Sequence, residues 1–279
     1  MRTLPRGSGV SLKPEHFANT QGLREENLWF EVHPENYFVQ GGPRLSQLRS
    51  IAESFPISLH GIAASLAGPD LIPEDHLAAL KTLCDQVDPV SVSEHFAWSY
   101  LNGRYLGNLL PAPRTSQVRE IILANIDRMQ TTLGRQILIE NPAHYLAFSN
   151  DIEEPEFLQD IVQRSGCGWL LDLNNLYISE VNVGLNARAY LDRIDLNAVG
   201  EVHVAGHRKD PNDASLLIDS HDGPVATAVW ELLDHLFQQA GPKPVLVEWD
   251  AELPTFERLL MEREVAEEKI QRARERYVA

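Results

Sequence analysis

Cys167 to Asn175 reads CGWLLDLNN, a short and mostly apolar run that ends in Asp172 and is followed at once by Asn174 and Asn175. A run of this length behind Gly166 and Gly168 fits a strand buried on both faces of a parallel sheet, which puts Asp172 where the strand ends. The same arrangement recurs along the chain. QILIENP ends on Glu140 and Asn141, PISLHG on His60, PVSVSEHF on Glu94 and His95, AVGEVHVAGH on His203 and His207, and PVLVEWD on Glu248 and Asp250. One polar ending is chance, whereas a polar ending on strand after strand describes a shared mouth.

Helical patterns separate these runs. Val118, Ile121, Ile122, Asn125, Ile126, Met129 and Leu133 recur at helical spacing between Thr115, a good N-cap, and Gly134, a good terminator. Leu45, Leu48, Ile51 and Ala52 follow Pro43, and Leu77, Leu80 and Leu83 follow Pro73. Further helices are expected over Glu153 to Arg164, Asn186 to Ile194, Pro224 to about Ala240 and Thr255 to Tyr277. Strand and helix alternate about eight times, which argues for an α/β fold, a single (β/α)8 TIM barrel over residues 1–279 closed by a C-terminal helix. An open doubly wound sheet is the competitor, disfavoured because no G-x-G-x-x-G turn follows the first strand, GVSLK. Trp98 to Thr115, containing NGRYLGNLLPAP, reads as the longest irregular connection, and such a connection over a mouth is expected to act as a lid.

Composition narrows the function. The chain has 279 residues, 43% of them hydrophobic, enough for one large core. Its formal net charge of −16, with 40 acidic against 24 basic residues, opposes binding to nucleic acid or anionic membrane. The two cysteines, Cys84 and Cys167, make no disulfide framework, and MRTLPRGSGV lacks the apolar core of a signal peptide. No apolar run approaches the ~20 residues of a membrane span, so a cytoplasmic location is expected.

Period two sharpens the chemistry. Ser58 and His60 share a face, as do Glu201 and His203, with His207 a further candidate, and Leu246, Glu248 and Asp250. Glu94 and His95 are neighbours and cannot both point inward; His95 is the better choice. His33 and Glu35 are balanced between a role at the mouth and capping the loop after the second strand, while His16, His76, His144 and His235 read as surface or satisfied histidines. Carboxylates and imidazoles gathered without a cation cost several kcal/mol, and a metal removes the conflict. His, Asp, Glu and Asn without cysteine suit iron, manganese or zinc. Asp219 and His221, two apart in IDSHDGP, project together from an extended segment.

The order His60, His95, Glu140, Asp172, Asn175, His203, Asp219, His221, Glu248 resembles the trinuclear metal barrels of the endonuclease IV and xylose isomerase-like superfamily. Asn175 stands where those nucleases usually carry a histidine, which implies an oxygen-richer site and iron over zinc. A closer resemblance covers almost the whole chain. WFEVHPENYF, GGP, PISLHG, VSEHFAWS, NLLPAP, ILIENP, GCGWLLDLNNLYIS, EVHVAGH, LIDSHDGPV and VEWD resemble the successive signatures of the DUF692 family, the multinuclear non-haem iron-dependent oxidative enzymes. The resemblance implies a xylose isomerase-like barrel holding two or three irons in mixed Fe(II)/Fe(III) states. It also implies dioxygen as co-substrate, oxidative rewriting of a residue, commonly cysteine, in a ribosomally made precursor peptide, and a small partner protein that presents the peptide. It gives metal-ligand roles to those nine residues, with Asn141, His207 and Asp250 as nearby shell, Asp250 and His207 being the candidates to move protons. Where relatives often read NDLLPLPY, this chain has GNLLPAPR, Gly107 to Arg114, a loop expected to contact substrate. A metal-dependent hydrolase or isomerase on the same barrel and a non-catalytic metal- or peptide-binding protein are the alternatives.

Overall fold

The computed structural model describes residues 4–101, 103–147 and 152–278. Four parallel strands, β1 (Ser8–Ser11), β2 (Phe30–Val32), β3 (Ile57–Gly61) and β4 (Ser91–His95), stand side by side in chain order. The chain then leaves the sheet as an antiparallel hairpin, β5 (Trp98–Leu101) and β6 (Arg104–Leu110). It returns for β7 (Leu138–Glu140), β8 (Gly168–Asp172) and β9 (Val199–Ala205), makes a small hairpin of β10 (Arg208–Lys209) and β11 (Leu217–Ile218), and ends with β12 (Val245–Glu248). Parallel pairing of β12 with both β9 and β1 closes an eight-stranded barrel.

Helices α1 (Pro43–Ala52), α2 (Glu74–Val87), α3 (Ser116–Leu133), α4 (Glu154–Ser165), α5 (Leu173–Val183), α6 (Ala187–Leu191), α7 (Thr227–Ala240) and α8 (Phe256–Val278) cover the outside. The outward faces of the strands bury Leu59, Val92, Ile139, Leu171, Val202 and Val247 beneath them. Each such side chain contributes roughly 1.5–3 kcal/mol. The lumen differs from the usual branched-aliphatic filling: Glu31, Ser58, Ser91 and Glu201 form a polar layer near its floor.

Register then sets the mouth. His95 lies opposite Glu140, and Asp172 lies opposite His203. Side chains far apart in sequence are thus delivered to one end by strand pairing alone.

Two expectations are corrected. Trp98 to Thr115 is not irregular, because Trp98–Leu101 and Arg104–Leu110 pair as a hairpin, with Tyr100 and Tyr105 opposed; residue 102 lies outside the described residues. The segment carrying Asp219 and His221 is not extended, because His221 has φ at 45°. Asp172 is the N-cap of α5, its Oδ1 accepting from the Asn175 amide at 2.6 Å, so both asparagines lie in the first helical turn and LYISEVNV continues the helix.

The β9–β10 junction shows how tightly the mouth is tied. A Cβ on Gly206 would lie 2.1 Å from the Gly223 carbonyl oxygen, and the Gly206 carbonyl accepts from the His221 amide at 3.1 Å. The segment bearing His207 is thereby fixed to the one bearing Asp219 and His221. Gly206→Ala should cost about 2–3 kcal/mol by overpacking backbone against backbone, lowering the melting temperature by roughly 5–10 °C. A calorimetric midpoint equal to wild type would show that the two segments are free to separate.

Candidate metal centre

Three ligand atoms meet between β3, β4 and β7. His60 Nε2 and His95 Nε2 approach Glu140 Oε2 at 3.3 and 3.0 Å, and each other at 3.3 Å. Their rear nitrogens are held: His60 Nδ1 meets Ser93 Oγ at 2.8 Å, and His95 Nδ1 donates to the Gly61 carbonyl at 2.8 Å. A ring whose Nδ1–H donates to a carbonyl directs the Nε2 lone pair forward, the tautomer a metal ligand needs.

The same carboxylate belongs to a second group with Asp172 and His203, whose ligand atoms lie within 4.8 Å of one another. Asn141 fixes Asp172 from behind. Its Nδ2 donates to the Asp172 carbonyl and its Oδ1 accepts from the Asp172 amide, both at 2.9 Å. Asn175 Nδ2 donates to the Asn141 carbonyl at 3.1 Å, which leaves its Oδ1 forward.

From there the constellation extends across the mouth. His203 Nδ1 lies 3.1 Å from Glu248 Oε2, Glu248 Oε1 lies 3.5 Å from His221 Nδ1, and His221 Nε2 meets Asp219 Oδ1 at 2.6 Å. Asp250 lies 3.4 Å from His33 Nε2 and 3.6 Å from His221 Nδ1, and pairs with Lys13 Nζ at 2.5 Å. His207 stands apart from these groups. Its Nδ1 meets Asn174 Oδ1 at 2.7 Å, and Asn174 Nδ2 donates to Asp219 Oδ1 at 2.8 Å, so it reaches the mouth only through that amide.

Charge is concentrated here. Burial would lower His95, but the charge of Glu140 beside it pushes it up to about 10. Burial would raise Glu140, and His95 and His60 instead hold it below the carboxylate range. Burial, then Glu140 and Asp219, push Asp172 well above its ordinary value. His203 rises against its burial because Glu31 and Glu248 face it, and Glu248 falls against its burial because of His221 and His203. Burial lowers His207.

The residues fit a metal. Asp172 Oδ2 and Asn175 Oδ1 are both buried and make no hydrogen bond, and such unsatisfied polar atoms side by side are retained where another partner takes them. The donors are imidazole, carboxylate and amide oxygen, while Cys84 and Cys167 are both buried elsewhere in the core.

Sequence reasoning assigned no role to Glu31 or Lys13, left His33 balanced between the mouth and a loop cap, and named Glu201 only as a member of a face. Glu31 Oε1 and Glu201 Oε1 lie 3.3 and 3.7 Å from His203 Nε2. Ser58 and Ser91 donate to these two carboxylates, each at 2.9 Å. The usable signal was alternation in FEVH, which carries Glu31 and His33 to the same face; His33, Glu248 and Asp250 form a further group able to hold a cation. Glu35, the next residue in that alternation, departs because the backbone turns into a 3-10 helix at Pro34.

A cleft of about 340 Å³ leads from His95, Asn175 and Asp219 out beneath the hairpin, between Tyr105, Leu109 and Tyr145. Tyr145 Oη accepts from the Asp219 amide at 3.0 Å. A second cavity, of about 380 Å³, lies between Arg114, Glu154 and Tyr190 and contains none of these ligands.

With this geometry in view, a family model described as RiPP precursor modification enzyme MbnB/TglH/ChrH matches residues 7–271. The chain belongs to this family. RiPPs are ribosomally synthesised and post-translationally modified peptides, so family membership makes a peptide precursor the substrate class. A UPF0276 protein of Caulobacter sp. (strain K31) is 46% identical over 93% of this chain and 94% of its own length. A UPF0276 protein of Bordetella parapertussis is 44% identical over 93% and 91%. Among solved structures, a xylose isomerase domain protein of Alicyclobacillus acidocaldarius superposes with TM-score 0.59 at 15% identity, covering 96% of this chain and 99% of that one. The E. coli 3-keto-D-glucoside 4-epimerase YcjR gives 0.57 at 15%, over 92% and 96%. These two likenesses show the same fold, a (β/α)8 TIM barrel. No helix among the described residues is long and apolar enough to cross a membrane.

Proposed function

We propose that the chain is an iron- and dioxygen-dependent enzyme that oxidises a residue, cysteine in the first instance, of a ribosomally made precursor peptide. The observation that carries this reading is Glu140, whose carboxylate belongs to two ligand groups at once, with His60 and His95 on one side and Asp172 and His203 on the other. Such a carboxylate would be available to both sets of ligands if each held a metal ion. His60, His95, Glu140, Asp172, Asn175, His203, Asp219, His221 and Glu248 would hold two or three irons, in mixed ferrous and ferric states. Iron in such a donor set supplies one-electron redox chemistry, activation of dioxygen and a lowered pKa for a coordinated thiol.

The protein's own groups divide the remaining work. Asn141 holds the Asp172 backbone, and Ser93 and the Gly61 carbonyl orient His60 and His95. Asp250, in contact with Lys13, His33 and His221, is placed to hold or pass a proton at its carboxylate oxygens, and His207 does so through Asn174. The cleft beneath the hairpin, between Tyr105 and Tyr145, is where the reacting residue of the peptide would enter.

The test is oxygen uptake with a cysteine-bearing ribosomal precursor peptide. Uptake should depend on iron, and a core peptide without its leader should turn over at least about tenfold more slowly, because an extended peptide is held by docking outside the cleft, on a small partner protein. Peptide-dependent turnover under strict anaerobiosis would replace oxidation with hydrolysis or isomerisation. Full activity on the bare core peptide would remove the presenting partner.

A further inference from the structure

Outside the lumen, Glu35, His76 and Glu94 bring one ligand atom each within 4.8 Å of the others. They come from three elements: the 3-10 turn Pro34–Tyr37 that follows β2, the first turn of α2, and the outward face of β4. None of them belongs to the groups built around Glu140.

The local backbone aims these side chains. Glu35 Oε1 accepts from the Ile62 and Ala63 amides, both at 2.9 Å, which turns Oε2 toward the other two residues. Glu94, 1% exposed, accepts from the Ala64 amide at 3.3 Å and from the His95 amide at 3.2 Å. It packs so closely on β3 that a Cβ on Gly61 would lie 2.2 Å from its Oε2. His76 rests edge-on against Phe38, with ring centroids 5.2 Å apart, which fixes its ring plane.

Two of the converging atoms are left over. Glu35 Oε2 and His76 Nε2 are both buried, and neither makes a hydrogen bond. A histidine that served only to neutralise this carboxylate pair would close to hydrogen-bonding distance of one of them. Here the three groups face one another within 4.8 Å and stop short of hydrogen bonding, which leaves a gap that a small contraction around an ion would close.

We propose that Glu35, His76 and Glu94 form a second, separate cation site for a divalent transition-metal ion. Two carboxylates and one imidazole without a thiolate match zinc, manganese or ferrous iron, with water completing the coordination. The ion would tie the loop after β2 and the start of α2 to β4, and so brace the strand that ends in His95. The site needs no substrate and takes no part in the reaction, so it stands independently of the proposed function.

The experiment uses zinc alone as probe on the full chain, loaded, desalted and analysed for metal by mass spectrometry. His76→Ala and Glu35→Gln should each hold one zinc per chain fewer than wild type; Glu35→Gln keeps an oxygen for the Ile62 and Ala63 amides, so its loss is not one of folding. In a Glu140→Ala background, which removes the carboxylate common to two lumen groups, saturating zinc should still raise the melting temperature by about 5 °C or more, and adding His76→Ala should clearly diminish that rise. Zinc content equal to wild type in folded Glu35→Gln, or an undiminished rise in Glu140→Ala with His76→Ala, would overturn the site and leave a buried acid pair that shares a proton.

Discussion

Glu140→Ala should leave the folded protein with less than about a tenth of the lumen metal of wild type and no measurable oxygen uptake. Even the outer partners of metal ligands typically contribute 10- to 100-fold in metal affinity, and the Glu140 carboxylate itself belongs to two ligand groups. Removing it takes the anionic ligand from His60 and His95 together with one of the two carboxylates from Asp172 and His203. The variant should still fold, because Glu140 is the last residue of β7 and its backbone pairing with β4 and β8 does not use the side chain. The loss also separates a catalytic from a structural role: circular dichroism should match wild type, and melting should match that of metal-free wild type, while metal content falls. A folded variant with wild-type metal stoichiometry in the lumen would mean that Glu140 is a core carboxylate satisfied by two histidines, and the bridging assignment would fail.

Legibility followed the physics of each element. The barrel was readable because its strands are buried on both faces and stand out as apolar runs, and because helices such as α3 carry both a Thr115 cap and a Gly134 terminator. The convergence of His60, His95, Glu140, Asp172, His203 and Glu248 was readable because residues at the carboxyl ends of parallel strands meet whatever their distance in sequence. The hairpin was not, since β5 and β6 are largely exposed and their alternation does not mark an inner face. Residues placed by loops were legible only as pairs. Asp219 and His221 do meet, but His221 does so with φ at 45°, a left-handed backbone that no extended reading of IDSHDGP contains. Glu35 was set by the departure at Pro34, and Lys13 is drawn in only by Asp250 across the β1–β12 junction.

Asn175→His should retain metal, move its preference from iron toward zinc, and lower dioxygen-dependent turnover by about 100-fold. Asn175 is 4% exposed and held by its own Nδ2 on the Asn141 carbonyl, which leaves a neutral amide oxygen facing the ligands. An imidazole there would supply a stronger nitrogen donor, favouring zinc and occupying a position that a weak ligand concedes to substrate. Asn175→Asp keeps the size and the oxygen while adding charge beside Asp172, so it should retain iron with a shifted balance of ferrous and ferric states. Asn175→Asp loses the Nδ2 donor to the Asn141 carbonyl and the imidazole is larger than the amide, so circular dichroism of both variants is matched to wild type before their outcomes are compared. Metal content by mass spectrometry, Mössbauer spectra of iron-loaded protein and oxygen uptake with the peptide decide the matter. Undiminished oxidative turnover in Asn175→His would show that this position does not tune the metal, and the preference for iron would then have to rest on the carboxylates alone.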